Sequence, residues 1–186
     1  MSTLTIVLII LGVFVLWLIA IYNGFIRLIT HAKEAWADID VQLKRRYDLI
    51  PNLIESVKGY AKHESGVFEK VTQARSAAMG AKSMGEHSKS EALLGGALTG
   101  LFGIAEAYPD LKANQNFLSL QAELSDTENK IQAARRFYNT NVRDLNIKTD
   151  SFPSNLIANI FKFGKMEFFE LVADEQAAKN PVRVAF

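Results

Sequence analysis

The sequence predicts an all-α protein: an N-terminal single-span transmembrane helix followed by an antiparallel four-helix-type bundle, with a short C-terminal helix and an extended tail. Three observations carry that reading. The first 26 of 186 residues hold no charge. From Phe25, an apolar series keeps the 3.6-residue helical period over 36 residues. From Phe117, a second series steps alternately by three and four, the seam of a helical bundle. No segment alternates with period two between turn signals, so a sheet is not expected.

The first element is the apolar stretch Leu4 to Tyr22, LTIVLIILGVFVLWLIAIY. At 1.5 Å per residue its length is about 28 Å, which matches the hydrocarbon thickness of a bilayer. A helix is the form that satisfies every backbone polar group of such a segment in lipid. Trp17 and Tyr22 lie toward its C-terminal end, where amphipathic rings suit the headgroup region. A cleaved signal peptide would want a positive start, a shorter apolar run and small residues before the cleavage point, none of which is present. Arg27, Lys33 and Lys44-Arg45-Arg46 follow the span and no Lys or Arg precedes it, so the positive-inside rule puts the C-terminal domain in the cytoplasm.

Residues 1–24 are thus read as the anchor, 25–150 as the long-helix bundle, and 151–186 as a short amphipathic helix and tail packing on it. Asn23-Gly24 is a turn-favouring pair that either breaks the membrane helix from the next or only weakens a continuous rod. The series Phe25, Ile29, Ala32, Trp36, Ile39, Leu43, Tyr47, Ile50, Ile54, Val57, Ala61 forms the first bundle helix. Pro51 removes one backbone donor from it, which predicts a kink or a restart that Asp48 would help to cap. A second helix is expected from Ser65 to the loop GAKSMGEH, and a third from about Ser88 to Tyr108-Pro109-Asp110. The fourth carries Phe117, Leu120, Leu124, Thr127, Ile131, Ala134 and Tyr138, continuing at Val142 and Leu145. After the break Ser151-Phe152-Pro153-Ser154, a short helix covers Asn155 to Phe161.

Composition excludes several chemistries. A net charge of +1 offers no basic stripe to displace phosphate counterions, so no nucleic acid is expected as a partner. With no Cys there are no disulfides, thiolate metal sites or cysteine nucleophiles. The residues three before His31, His63 and His87 are Leu28, Tyr60 and Met84, so the Glu-x-x-His pair of di-iron bundles is absent. Gly80-Ala81-Lys82-Ser83 lacks the spacing of a phosphate loop, and Gly80, Ser83 and Gly85 lack that of a nucleophile elbow. No catalytic, cofactor-binding or metal residue is assigned, and no cofactor is expected.

Three features invite structural roles. Gly96 and Gly100 share a helix face within the charge-free run Ala92 to Ala105, which predicts close packing against a bundle neighbour, with a subunit contact or a membrane-dipping segment as alternatives. In the charged clusters Lys44 to Asp48 and Glu128 to Arg136, Arg46 is placed to meet Glu128, and Arg135 to meet Asp48 or Glu55. The Phe-rich C-terminal region, with Lys162 and Lys165, is read as a cap over the bundle's open end, with interfacial membrane contact as the alternative.

Several motifs, in order, resemble the bacterial LemA family: EAWADIDVQLKRRYDLIPNL from Glu34 to Leu53, VKGYA from Val57, AEAYPDLKAN from Ala105, LQAEL from Leu120, TENKI from Thr127, ARRFYN from Ala134 and FPSNLIA from Phe152. The resemblance implies a bundle anchored in the bacterial cell inner membrane, with a short N-terminus outside. It brings no catalytic or ligand-binding residues. The expected function is a non-enzymatic, self-associating envelope scaffold that contacts the bilayer through Leu4 to Tyr22. One alternative is an adaptor for another inner-membrane protein, such as a protease or sensor. Another is an enzyme whose site forms between subunits, drawing on Asp40, Glu55 or Tyr138.

Overall fold

The computed structural model describes residues 2–170, which are helical through most of their length and contain no strand. Helix α1 (Thr3–Lys58) is a single element of 56 residues. It is followed by α2 (Ser65–Met79), α3 (Met84–Ala107), the single turn α4 (Pro109–Lys112), α5 (Gln115–Asp150) and α6 (Ser154–Phe161). The extended tail expected to end the chain lies at residues 171–186, outside the described residues.

Helix α1 continues through both Asn23-Gly24 and Pro51, so of the two readings left open at Asn23-Gly24 the continuous rod is the one observed. At Asn23-Gly24 the helix is continuous, and the missing side chain of Gly24 has a use. The Lys148 side chain crosses α1 there, and a Cβ on Gly24 would collide with its ammonium. Of the kink or restart expected at Pro51, the restart does not occur, and Asp48 is an exposed mid-helix residue rather than a cap. Pro51 has no N–H to return to the carbonyl of Tyr47, four residues back. Arg75 of α2 makes up the loss, donating from Nε to that carbonyl at 2.7 Å.

The later boundaries follow from capping. Helix α3 starts four residues before the expected Ser88, because Ser83 and Glu86 form a capping box. The Ser83 hydroxyl accepts from the Glu86 N–H, and the Glu86 carboxylate accepts from the N–H groups of Ser83 and Lys82. Those bonds hold the Glu86 carboxyl below its usual range. Asn114 opens α5 similarly, its Oδ1 accepting from the N–H groups of Asn116 and Phe117.

The described chain forms two compact units. One comprises Met1–Asp38 with Ala134–Phe168. Its core is Phe25, Leu145 and Ala158, edged by Ile21, Leu28, Ile29, Phe163 and Met166. Trp36 meets Tyr138 edge-on at 5.6 Å. The segment after α6 is held by Asn146, which donates to and accepts from the backbone of Met166, and by the Tyr138 hydroxyl, which donates to the Glu167 carbonyl. The apolar stretch at the start of α1 is long enough to cross a membrane, and its most apolar window is unburied by protein.

The other unit comprises Ile39–Ala133 with Phe169–Phe186, of which the residues from 171 onward lie beyond the described part. Here the two predicted seams are buried: Ile39, Leu43, Tyr47, Ile50, Ile54 and Val57 on α1, and Phe117, Leu124, Thr127 and Ile131 on α5. Phe68, Val71, Leu94, Leu98 and Leu101 complete the core from α2 and α3. Each such aliphatic or aromatic side chain contributes about 1.5–3 kcal/mol by leaving water. The glycines of α3 do not join them. A methyl group added at Gly96, Gly100 or Gly103 would meet nothing within 4 Å, so the close packing expected there within the chain is not found. Helical phase is the reason: Leu94, Leu98, Leu101 and Ala105 take the buried side and turn the glycines outward.

Candidate functional site: the Arg46 charge cluster

The most concentrated polar chemistry lies inside the second unit, on three helices. Arg46 of α1 is only 7% exposed. Its Nη1 lies 3.1 Å from Glu91 Oε2 on α3 and 3.0 Å from Glu128 Oε2 on α5. The Tyr47 hydroxyl donates to the other oxygen of Glu91. With Arg75 bonded to the Tyr47 carbonyl, the adjacent residues Arg46 and Tyr47 tie α1 to α2, α3 and α5.

Burial governs the protonation of this cluster. It pushes the Glu91 carboxyl above its ordinary range, against the opposing hydrogen bond from Tyr47 and the charge of Arg46. It also pushes the Tyr47 phenol up, and the hydrogen bond to Glu91 and the charge of Glu91 act the same way. Tyr47 therefore remains a proton donor across physiological pH. Asp40, six residues before Arg46, is raised by desolvation, with His87 opposing. His87 also lies close enough to act on Glu91.

The foreseen contact between Arg46 and Glu128 is present, and Glu91 is its unforeseen third member. The signal for Glu91 is in the sequence: Glu91, Leu94, Leu98, Leu101 and Ala105 step by three, four, three and four. That phase puts a carboxylate in the core, where it needs a cation. Of the partners foreseen for Arg135, Asp48 is exposed and Glu55 is paired with its own helix neighbour Lys58 at 2.7 Å. The three residues considered for an enzymatic site between subunits each have a defined setting. Asp40 borders the Arg46 cluster, and Glu55 lies fifteen residues further along α1, about 22 Å by helical rise. Tyr138 is in the first unit, buried, with its hydroxyl committed to the Glu167 carbonyl. Among the described residues, no group of three or more His, Asp or Glu side chains is placed to hold a metal ion.

This arrangement sets helix register. A guanidinium shared by two carboxylates, one of them also held by a phenol, specifies which turns of α1, α3 and α5 face each other. With the long apolar start of α1, it defines a membrane-associated helical protein. The chain belongs to the LemA family, whose profile matches residues 35–186 and so includes the whole cluster. Among its relatives is the magnetosome protein MamQ of Magnetospirillum gryphiswaldense, 23% identical over 195 residues, covering 91% of this chain and 71% of that one. Another is protein LemA of Metamycoplasma hominis, 29% identical over 164 residues, covering 86% of this chain and 74% of that protein.

Proposed function

We propose that the protein is a self-associating scaffold of the bacterial envelope, without catalytic activity, held in the cell inner membrane by Leu4 to Tyr22. Its N-terminus is outside and its helical domain is in the cytoplasm. The observation that carries this reading is the outward face of α3. Gly96, Gly100 and Gly103 have open space above them, and Leu93 beside them is 66% exposed. Small residues spaced by three and four let a second helix approach closely, and the exposed leucine gives such a contact apolar area. A second copy of the same face is the proposed occupant. The absence of catalysis is supported by the Arg46 cluster, where Arg46 Nη1 pairs with Glu91 and Glu128 and Tyr47 donates to Glu91.

A photo-crosslinking residue in place of Leu93, in native membranes, tests the reading. A crosslinked product of twice the chain mass is expected. A dominant product with a different protein would contradict self-association and favour the adaptor reading.

A further inference from the structure

Helix α6 and the apolar start of α1 belong to the same compact unit and share one open groove of about 760 Å³. Phe14, Trp17 and Tyr22 form its wall on α1, while Phe152, Leu156 and Ile160 form the wall at α6. From Phe14 to Tyr22 is about 12 Å by helical rise, all of it within the C-terminal half of the apolar stretch. Where those residues sit in a bilayer, a side chain lining the same groove sits at their depth. The depth of α6 is therefore set by α1, and it is that of the acyl chains nearest the C-terminal end of the span.

The sequence of α6 suits that depth. Residues 151–161 carry no charge, between Asp150 and Lys162. Leu156 and Ile160, four apart on one helix face, are 53% and 69% exposed. Phe152 lines the groove with them, four residues before Leu156, and is 80% exposed. Ser154, Ile157 and Ala158 are buried on the other side. Three large apolar side chains in one row are a liability in water. Asn155 and Asn159, also four apart, take the adjoining row, so the outward side of α6 has an apolar and a polar edge. That is the pattern of a helix lying at the boundary of acyl chains and headgroups.

Both ends of α6 are closed within the chain, as backbone near lipid requires. The N–H groups of Asn155 and Leu156 donate to the carbonyls of Ser151 at 2.8 Å and Pro153 at 3.2 Å. At the other end Lys162 takes the left-handed conformation, with φ 57°, and the Phe163 N–H closes the last turn on the Ala158 carbonyl at 2.9 Å.

We infer that α6 is a second membrane element. It enters the leaflet at the C-terminal end of the span, with Phe152, Leu156 and Ile160 among the acyl chains and Asn155 and Asn159 toward the headgroups. The occupant of the groove is hydrocarbon: no charged side chain lines it, so it selects no headgroup. The inference rests on α1 crossing the bilayer, which is part of the function proposed above.

The chain has no Cys, so single cysteines report on chosen positions. The full chain carrying Ile160→Cys, or Leu11→Cys in the span, is labelled with an NBD fluorophore and reconstituted in phosphatidylcholine nanodiscs. Both native side chains are more than half exposed, so the label displaces little packing. Quenching by phosphatidylcholine with a nitroxide near the headgroup end or near the tail end of its acyl chain is compared with quenching by aqueous iodide. The label at position 160 should be quenched more by the shallow nitroxide, that at position 11 more by the deep one. Both should lose most of the iodide quenching shown by the free NBD adduct in buffer. Iodide quenching at position 160, with position 11 quenched by nitroxide, would overturn the insertion of α6 and leave the anchor standing. Shielding of position 160 from both quenchers would mean that protein, such as a second copy, covers α6, and would overturn lipid as the occupant. No nitroxide quenching at position 11 would overturn the membrane reading itself, and the insertion of α6 with it.

Discussion

Arg75 Nε donates to the main-chain carbonyl of Tyr47 at 2.7 Å, and that is the carbonyl Pro51 cannot serve. A side chain from α2 thereby replaces a missing backbone donor of α1, which allows the longest helix to run through its proline. The same bond connects the proline to the Arg46 cluster, because Tyr47 also donates its hydroxyl to Glu91.

Arg75→Ala should therefore destabilise the full chain by about 1–3 kcal/mol, the cost of an unsatisfied buried carbonyl. A Pro51→Ala background restores the backbone N–H, and there the same substitution of Arg75 should cost much less. Thermal unfolding in mild detergent measures both. An equal cost in the two backgrounds would show that Arg75 acts by some route other than the proline's missing donor.

Removing Arg46 leaves the buried Glu91 without a cation. Arg46→Ala should cost about 3–5 kcal/mol, as for other broken buried pairs. Arg46→Met combined with Glu91→Met removes both charges and should cost much less. Chemical denaturation of the two variants distinguishes them, and comparable losses would contradict the pairing as the source of the effect.

The raised pKa of Glu91 has a pH signature. As pH increases, the unfolded chain releases this proton first, so between the two pKa values the folded state binds more protons. The contribution of Glu91 to stability is complete below the ordinary glutamate value of about 4.3 and declines as pH rises through the folded value. Glu91→Gln lacks that decline. Its stability relative to the unsubstituted chain should rise with pH over this window. A difference that falls with pH would mean that the attraction of Arg46 outweighs burial.

The absence of Cys permits a direct test of topology. In intact cells, Ser2→Cys should react with a membrane-impermeant maleimide. Lys89→Cys, on an exposed position of α3, should react only after the membrane is opened. The reverse pattern would put the helical domain outside.

Most of the helical plan is legible because burial is written in periodicity. The series from Phe25 and the seam from Phe117 both mark residues that are buried or partly buried. What escapes depends on contacts between distant residues. Pro51 reads as a kink or a restart because the replacement donor, Arg75, is on another helix. Gly24 reads as an ambiguous turn signal because its reason, Lys148, comes from the far end of α5. Gly96 and Gly100 do share one face, but only the phase of Leu94, Leu98 and Leu101 shows that this face points outward. Glu91 is legible in phase, yet a single carboxylate at the head of an apolar run is less conspicuous than the charged clusters on α1 and α5.

Self-association through α3 is tested most directly by mass photometry of the full chain in mild detergent, beside Gly96→Leu. The added side chain enters open space. Replacing a mid-helix glycine should also raise the stability of the single chain by about 0.5–1 kcal/mol, so any loss of assembly would not come from unfolding. The unsubstituted chain should give a discrete oligomer, and Gly96→Leu should shift it to monomer. Monomer alone for the unsubstituted chain over a wide concentration range would contradict the scaffold, and an oligomer unchanged by Gly96→Leu would contradict the face assigned to it.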